Sequence, residues 1–152
     1  MTLKDKAAVV GVGSTPYYKR GQSLPQTPFE LAGKAMLAAL DDAGLAVEDV
    51  DGLALYSMGL GGDTSLFAQV MGIPEVRFTA TLTGGGGGSA GSVGLAAAAI
   101  TAGMATTVVS LMTLQQAVSR FGVSYGPRGK PGARTSNSAG IRARARSSLG
   151  RS

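Results

Sequence analysis

Residues Thr83–Thr113 read TGGGGGSAGSVGLAAAAITAGMATTVVSLMT. Five consecutive glycines, Gly84 to Gly88, run into Ser89-Ala90-Gly91-Ser92. The next residues predict a helix over about Ser89–Ala102 with almost no side-chain bulk. Gly103 then precedes a β-branched run that predicts a strand over Thr106–Thr113. Glycine lets backbone pass where a Cβ would not fit. A helix of Gly, Ser and Ala can therefore be approached closely from several sides. Its first turn carries N–H groups with no partner inside the helix, beside a loop open enough to admit a ligand.

Working outward, Val76–Leu82 predicts the strand that feeds the glycine run. Before it, Asp63 can cap a short helix, Thr64–Met71, which Gly72 and Pro74 end. Leu53–Ser57 reads as a further strand. Thr27-Pro28-Phe29-Glu30 is a helix start, with Thr27 as cap, Pro28 at the first helical position and Glu30 completing a capping box. Ala32, Ala35, Met36, Ala39, Leu40 and Ala43 form that helix's apolar face. Gly44 stops it, and Leu45 can fold back onto it. Lys6–Val12 reads as a buried first strand. This alternation predicts an α/β fold with a mostly parallel sheet and a buried Gly/Ala helix.

The chain has 152 residues, enough for one domain with a real core. It has no cysteine and no histidine. That excludes disulfides, thiolate nucleophiles, imidazole bases and the commonest metal ligands. The net charge of +5 is unevenly placed. Residues 1–126 carry 7 Lys/Arg and 9 Asp/Glu, while residues 127–152 carry six Arg, one Lys and no acid. That tail has only Ile141 and Leu149 as large aliphatics and no aromatic, so it reads as disordered. It could be an out-of-frame translation of a GC-rich gene, a neutral extension or a basic arm. The abrupt change after Gly126 favours the first, and the lack of base-stacking aromatics argues against nucleic acid. No signal peptide or membrane span is read, so the expected compartment is the cytoplasm.

Other candidates are weighed against plain structure. Gly11-x-Gly13 after a strand is a weak dinucleotide fingerprint, with Pro16 where its third glycine belongs. The 84–88 run lacks the Gly-Lys-Ser/Thr end of a P-loop. Ser89 and Ser92 would need a base to act as nucleophiles, so they read as caps or as slim packing residues. Tyr17, Tyr18, Tyr56 and Tyr125 read mainly as amphipathic packing residues. Asp41, Asp42, Glu48, Asp49 and Asp51 read as a solvated face.

In order and spacing, KAAVVGVGSTPYYKR, TPFELAGKAMLAALDDAGLAVEDVDGLALYS and GGGGGSAGSVGLAAAAITAGMATTVVS resemble the N-terminal half of the thiolase superfamily over residues 6–126. The closest branch is the lipid-transfer-protein, or sterol-carrier-protein-X-like, thiolases. The resemblance implies a thiolase-like half-domain at 1–126 followed by the tail at 127–152. It places the nucleophilic cysteine of true thiolases near Gly86, where this chain has none, and a substrate-binding role at Gly86, Gly87, Gly88 and Ser89. It implies an acyl-CoA substrate, with coenzyme A entering as part of it and no further cofactor or metal. It also implies a homodimer and an OB-fold-containing partner protein. The expected parent activity is carbon–carbon bond cleavage or formation on an acyl-CoA, a steroid ester among the candidates, with the truncated chain inactive alone. The competing expectation is a non-catalytic module that pairs with a partner chain.

Overall fold

The computed structural model describes residues 3–56, 63–83 and 87–115. Helix α1, Pro28–Ala43, starts where Thr27 caps it. The Thr27 hydroxyl accepts from the Glu30 N–H at 3.2 Å, and the Glu30 carboxylate accepts from the Thr27 N–H. That second bond is the main reason the Glu30 carboxyl is held below its ordinary value, helped by the Thr27 side chain and Lys34 against slight desolvation. A single 3₁₀ turn, Val47–Asp49, then leads into β1, Gly52–Tyr56. Helix α2 is Thr64–Met71, β2 is Phe78–Leu82, α3 is Gly88–Thr101 and β3 is Val108–Met112.

The three helices stop in the same way. After α1 the N–H of Gly44 bonds Asp41 and that of Leu45 reaches back to Leu40. After α2 the pairs are Gly72 to Gln69 and Ile73 to Ala68; after α3, Gly103 to Ile100 and Met104 to Ala99. Each is a left-handed glycine closing a Schellman motif, with φ of 67°, 73° and 72°. The returning residue after α1 and α2 is apolar and folds back on the helix it ends.

The described strands form one parallel sheet in the order β2-β1-β3. Gly52 to Tyr56 pair with Phe78 to Leu82 on one side and Val108 to Met112 on the other. Every residue of the central strand β1 is buried. Strand alternation sends Leu53, Leu55 and Leu111 to the face where Met36, Leu40, Phe67 and Ala68 of α1 and α2 form the core. The opposite face is built from Gly52, Ala54 and Ser110, and α3 lies there with Ser92, Ala96 and Ala99 buried. Small residues on both partners let helix and sheet come close. The β1-α2-β2 and β2-α3-β3 connections travel in opposite directions across the sheet. Right-handed crossovers then put α2 and α3 on opposite faces.

The parallel α/β architecture is as the sequence predicts, and three of the four expected strands are present within two residues of their expected bounds. The exception is Lys6–Val12, which is exposed and joins no ladder. An extended run becomes a strand only beside another, and among the described residues none adjoins it. It crosses α1 instead. A Cβ on Gly11 or Gly13 would overlap the α1 backbone at Ala39, so these glycines serve close packing where a dinucleotide loop was considered. The Val12 N–H donates to the Asp42 carboxylate at 2.9 Å.

One member of the acidic cluster is also corrected. Asp42 holds the N-terminal segment, and Asp49 accepts from the Ala46 N–H at 2.8 Å. Asp51 accepts from the N–H groups of Thr106 and Thr107 and from the Thr106 hydroxyl, at 2.8–2.9 Å, and lies 3.6 Å from Arg77. It thus joins the lead-ins of all three strands. Burial, the largest influence, raises its pKa. The hydrogen bonds from Thr107 and Thr106 and the Arg77 charge together outweigh burial and hold the carboxyl below its ordinary value. Asp41, Asp42, Glu48 and Asp49 are all exposed, as a solvated face requires, and Asp51 is the member that departs from it.

Candidate functional site

The C-terminal ends of β1 and β2 send the chain to opposite faces of the sheet. In open α/β sheets that divergence opens a crevice beyond the strand ends, the usual place for a ligand. By topology that position falls beside the start of α3. Tyr56, the last residue of β1, is only 4% exposed. Its ring occupies the space that a Cβ on Gly88 would need. Leu82, the register partner of Tyr56 at the end of β2, meets Gly91 in the same way, 2.9 Å from where its Cβ would stand. Gly88 and Gly91 are one turn apart on one face of α3. The first turn of the helix therefore rests on the ends of two neighbouring strands.

Behind this seat, Ser92 is 1% exposed. Its hydroxyl donates to the Ser89 carbonyl at 2.6 Å and meets the Ser110 hydroxyl at 2.6 Å. Having only one proton, Ser92 must accept from Ser110 if it donates to Ser89. Both of its polar contacts are internal, which agrees with a slim packing residue and leaves no base beside it. Ser89 is not the cap. Gly87 takes that place without a side-chain bond, is exposed, and has open space around it. The helix starts one residue earlier than Ser89, because the Gly91 N–H already bonds the Gly87 carbonyl at 2.9 Å.

Of the four predicted substrate-binding residues, Gly87, Gly88 and Ser89 are together at the start of α3. Gly86, the position matched to the thiolase nucleophile, lies outside the described residues, as do Tyr125 and the tail at 127–152. Tyr17 is fully exposed, while the Tyr18 hydroxyl receives a hydrogen bond from Gln26 Nε2 at 3.4 Å. The first-turn N–H groups of Gly88, Ser89 and Ala90 have no earlier helical carbonyl to bond and carry the positive end of the helix dipole. That suits a carboxylate, a phosphate or the oxygen of a polarised thioester. Among the described residues no group of three or more His, Cys, Asp or Glu side chains is placed to hold a metal. None of their helices is long and apolar enough to cross a membrane.

Sequence reasoning weighed Tyr56 as one of four tyrosines and saw no link to Gly88. The signal available was its position at a strand end, ahead of a glycine-rich helix start. Asp51 was missed as the clamp at the opposite end of the sheet, where its partners lie 55 residues further on.

Over 124 residues, 82% of its length, the chain is 35% identical to a 17-hydroxy-3-oxo-4-pregnene-20-carboxyl-CoA lyase of Mycobacterium tuberculosis. It is 36% identical to a steroid side-chain-cleaving aldolase of Thermomonospora curvata over the same extent. Its homologues are steroid side-chain aldolases. The chain spans 30% of the length of each of these relatives. Among solved structures, an Ltp2-ChsH2(DUF35) aldolase superposes with a TM-score of 0.63 and 34% identity, over 70% of this chain and 27% of that one. A looser likeness, TM-score 0.49 and 19% identity, is to a 3-oxoacyl-(acyl carrier protein) synthase III of Xanthomonas oryzae pv. oryzae. No family model matches the sequence.

Proposed function

We propose that this chain corresponds to the N-terminal part of a thiolase-like lipid-transfer protein that cleaves or forms a carbon–carbon bond in an acyl-CoA, with a steroid CoA ester as substrate. The observation that carries the reading is 35–36% identity to a pregnene-carboxyl-CoA lyase and a steroid side-chain-cleaving aldolase across most of the chain. The glycine seat supports it. In a retro-aldol cleavage a base takes the proton of the β-hydroxyl, the carbon–carbon bond breaks, and the electron pair passes into the thioester as an enolate. Amides aimed at that oxygen stabilise the charge as it develops. Gly87, Gly88 and Ser89, with Gly86 next to them in sequence, are assigned this role. The chain supplies neither thiolate nor imidazole, so a true thiolase cycle through an acyl-enzyme is not assigned to it.

The proposal includes an assembly. Among the described residues strand β2 is paired on one side only, and it carries neither charge nor proline. A bare neutral edge invites another strand, and a second copy of the chain would supply it. The similar aldolase of known structure is an Ltp2-ChsH2(DUF35) assembly. By analogy, an OB-fold-containing protein is the proposed partner here. The compartment proposed is the cytoplasm, and the chain by itself is proposed to lack turnover. Titration with a steroid acyl-CoA thioester, followed by assay for ketone release, tests both claims. Saturable binding without turnover is expected; absence of any binding ends the reading.

A second reading has its own support. Helix α3 is apolar or small on every side, the pattern of a helix covered all round. Yet Val93 and Leu95 on its two flanks, and Met104 just past its end, stand 40–50% exposed. A non-catalytic module that presents this face to a partner chain would form a stoichiometric complex whose stability does not change with acyl-CoA.

A further inference from the structure

Resting on the acyl-CoA reading above, we infer that Tyr56 is the positioning residue of the site: its buried ring, packed on the Cα of Gly88, sets where the glycine run enters α3. Three observations carry this. The Tyr56 side chain is closed in at the end of the central strand, so it cannot swing aside to admit a larger neighbour. A Cβ on Gly88 would overlap two atoms of the ring and stand 2.9 Å from Cζ. The companion contact is softer. Gly91 faces only the terminal Cδ2 of half-buried Leu82, which can turn away. The two glycines of one helix face therefore differ: position 88 is dictated by a rigid ring and position 91 by a flexible tip.

Ring and glycine act as a pair, so a change in one should be corrected by a change in the other. Gly88→Ala pushes the helix start off the ring. Tyr56→Leu removes the ring and leaves space. Tyr56→Leu with Gly88→Ala refills that space with a methyl group. Tyr56→Phe keeps the contact.

The test uses the full chain and two readouts. One is the dissociation constant for a non-hydrolysable steroid acyl-CoA thioether; the other is the position of the Ala90 and Ser92 amide signals in an ¹H–¹⁵N spectrum. Gly88→Ala should weaken binding at least tenfold and shift both signals. Gly91→Ala should change affinity less than threefold. The double variant should recover to within threefold of the parent. Unchanged affinity and signals in Gly88→Ala, or a double variant whose losses simply add, would overturn the assignment. If the parent chain binds no thioether, the acyl-CoA reading fails and the amide signals alone decide the role of Tyr56. A shift in Gly88→Ala that reverses in the double variant supports it, and no shift, or no reversal, removes it.

Discussion

Asp51 shows how much one side chain can hold. Four hydrogen-bond contacts and an ion pair converge on one carboxylate where the sheet begins. Asp51→Ala leaves the N–H groups of Thr106 and Thr107 without their acceptor and should cost about 2–3 kcal/mol at neutral pH. Urea unfolding of parent and variant measures it. The folded-state pKa is depressed, so the stabilisation is complete above the ordinary carboxylate range and is lost as pH falls through the lower folded value. The gap between parent and Asp51→Ala should therefore narrow below about pH 4. Ser92 is the corresponding residue at the helix–sheet contact. Ser92→Ala leaves the Ser110 hydroxyl without this partner, at a cost of about 1–2 kcal/mol, read from the same unfolding curves. Ser92→Val should cost at least as much, because it replaces the hydroxyl with a methyl group and adds a second at a site only 1% exposed.

The elements are decided by their ends. Thr27 with Glu30 opens α1, Asp63 opens α2 through a 2.8 Å bond to the Leu66 N–H, and a left-handed glycine closes each helix. Gly44, Gly72 and Gly103 have no heavy atom within 4 Å of a Cβ placed on them. A substitution there meets backbone strain and no clash. Gly103→Ala should cost about 1 kcal/mol, the left-handed penalty for an L-residue, and should lower the thermal midpoint without altering the circular dichroism of the folded chain. Caps of this kind were legible because their chemistry lies within four residues of sequence. The same locality explains why α1 and α2 were placed to the residue, and why the start of α3 shifted by one. There no side-chain cap marks the first residue, and a run of glycines gives no local signal of where the helix begins.

For the molecule as a whole, the described residues build one α/β/α unit closed on one face and open on the other. Leu53, Leu55, Phe67, Met36 and Leu111 form a packed core under α1 and α2. Beyond α3 there is no second layer among these residues, and no charged residue occurs anywhere between Arg77 and Arg120. An uncharged outer face bordered by a bare strand edge favours association. Sedimentation velocity of the full chain should show a concentration-dependent species larger than the monomer. Val93→Asp, on a flank of α3, should return it to monomer with little change in thermal midpoint, because Val93 is 45% exposed in the isolated chain.

By itself the sequence determined the class of fold, the caps and stops of the helices, the lack of imidazole and thiolate chemistry, and the glycine-to-helix transition as the place to look. These are properties of composition and of neighbours a few residues apart. Tertiary structure alone decided that Lys6–Val12 joins no sheet and that Asp51 is a clamp. It also decided that Gly88 must be glycine because a tyrosine ring, 32 positions earlier, already fills its side-chain space. Each of these depends on which segments come to lie side by side, and a one-dimensional pattern of apolar and polar residues does not specify the neighbour.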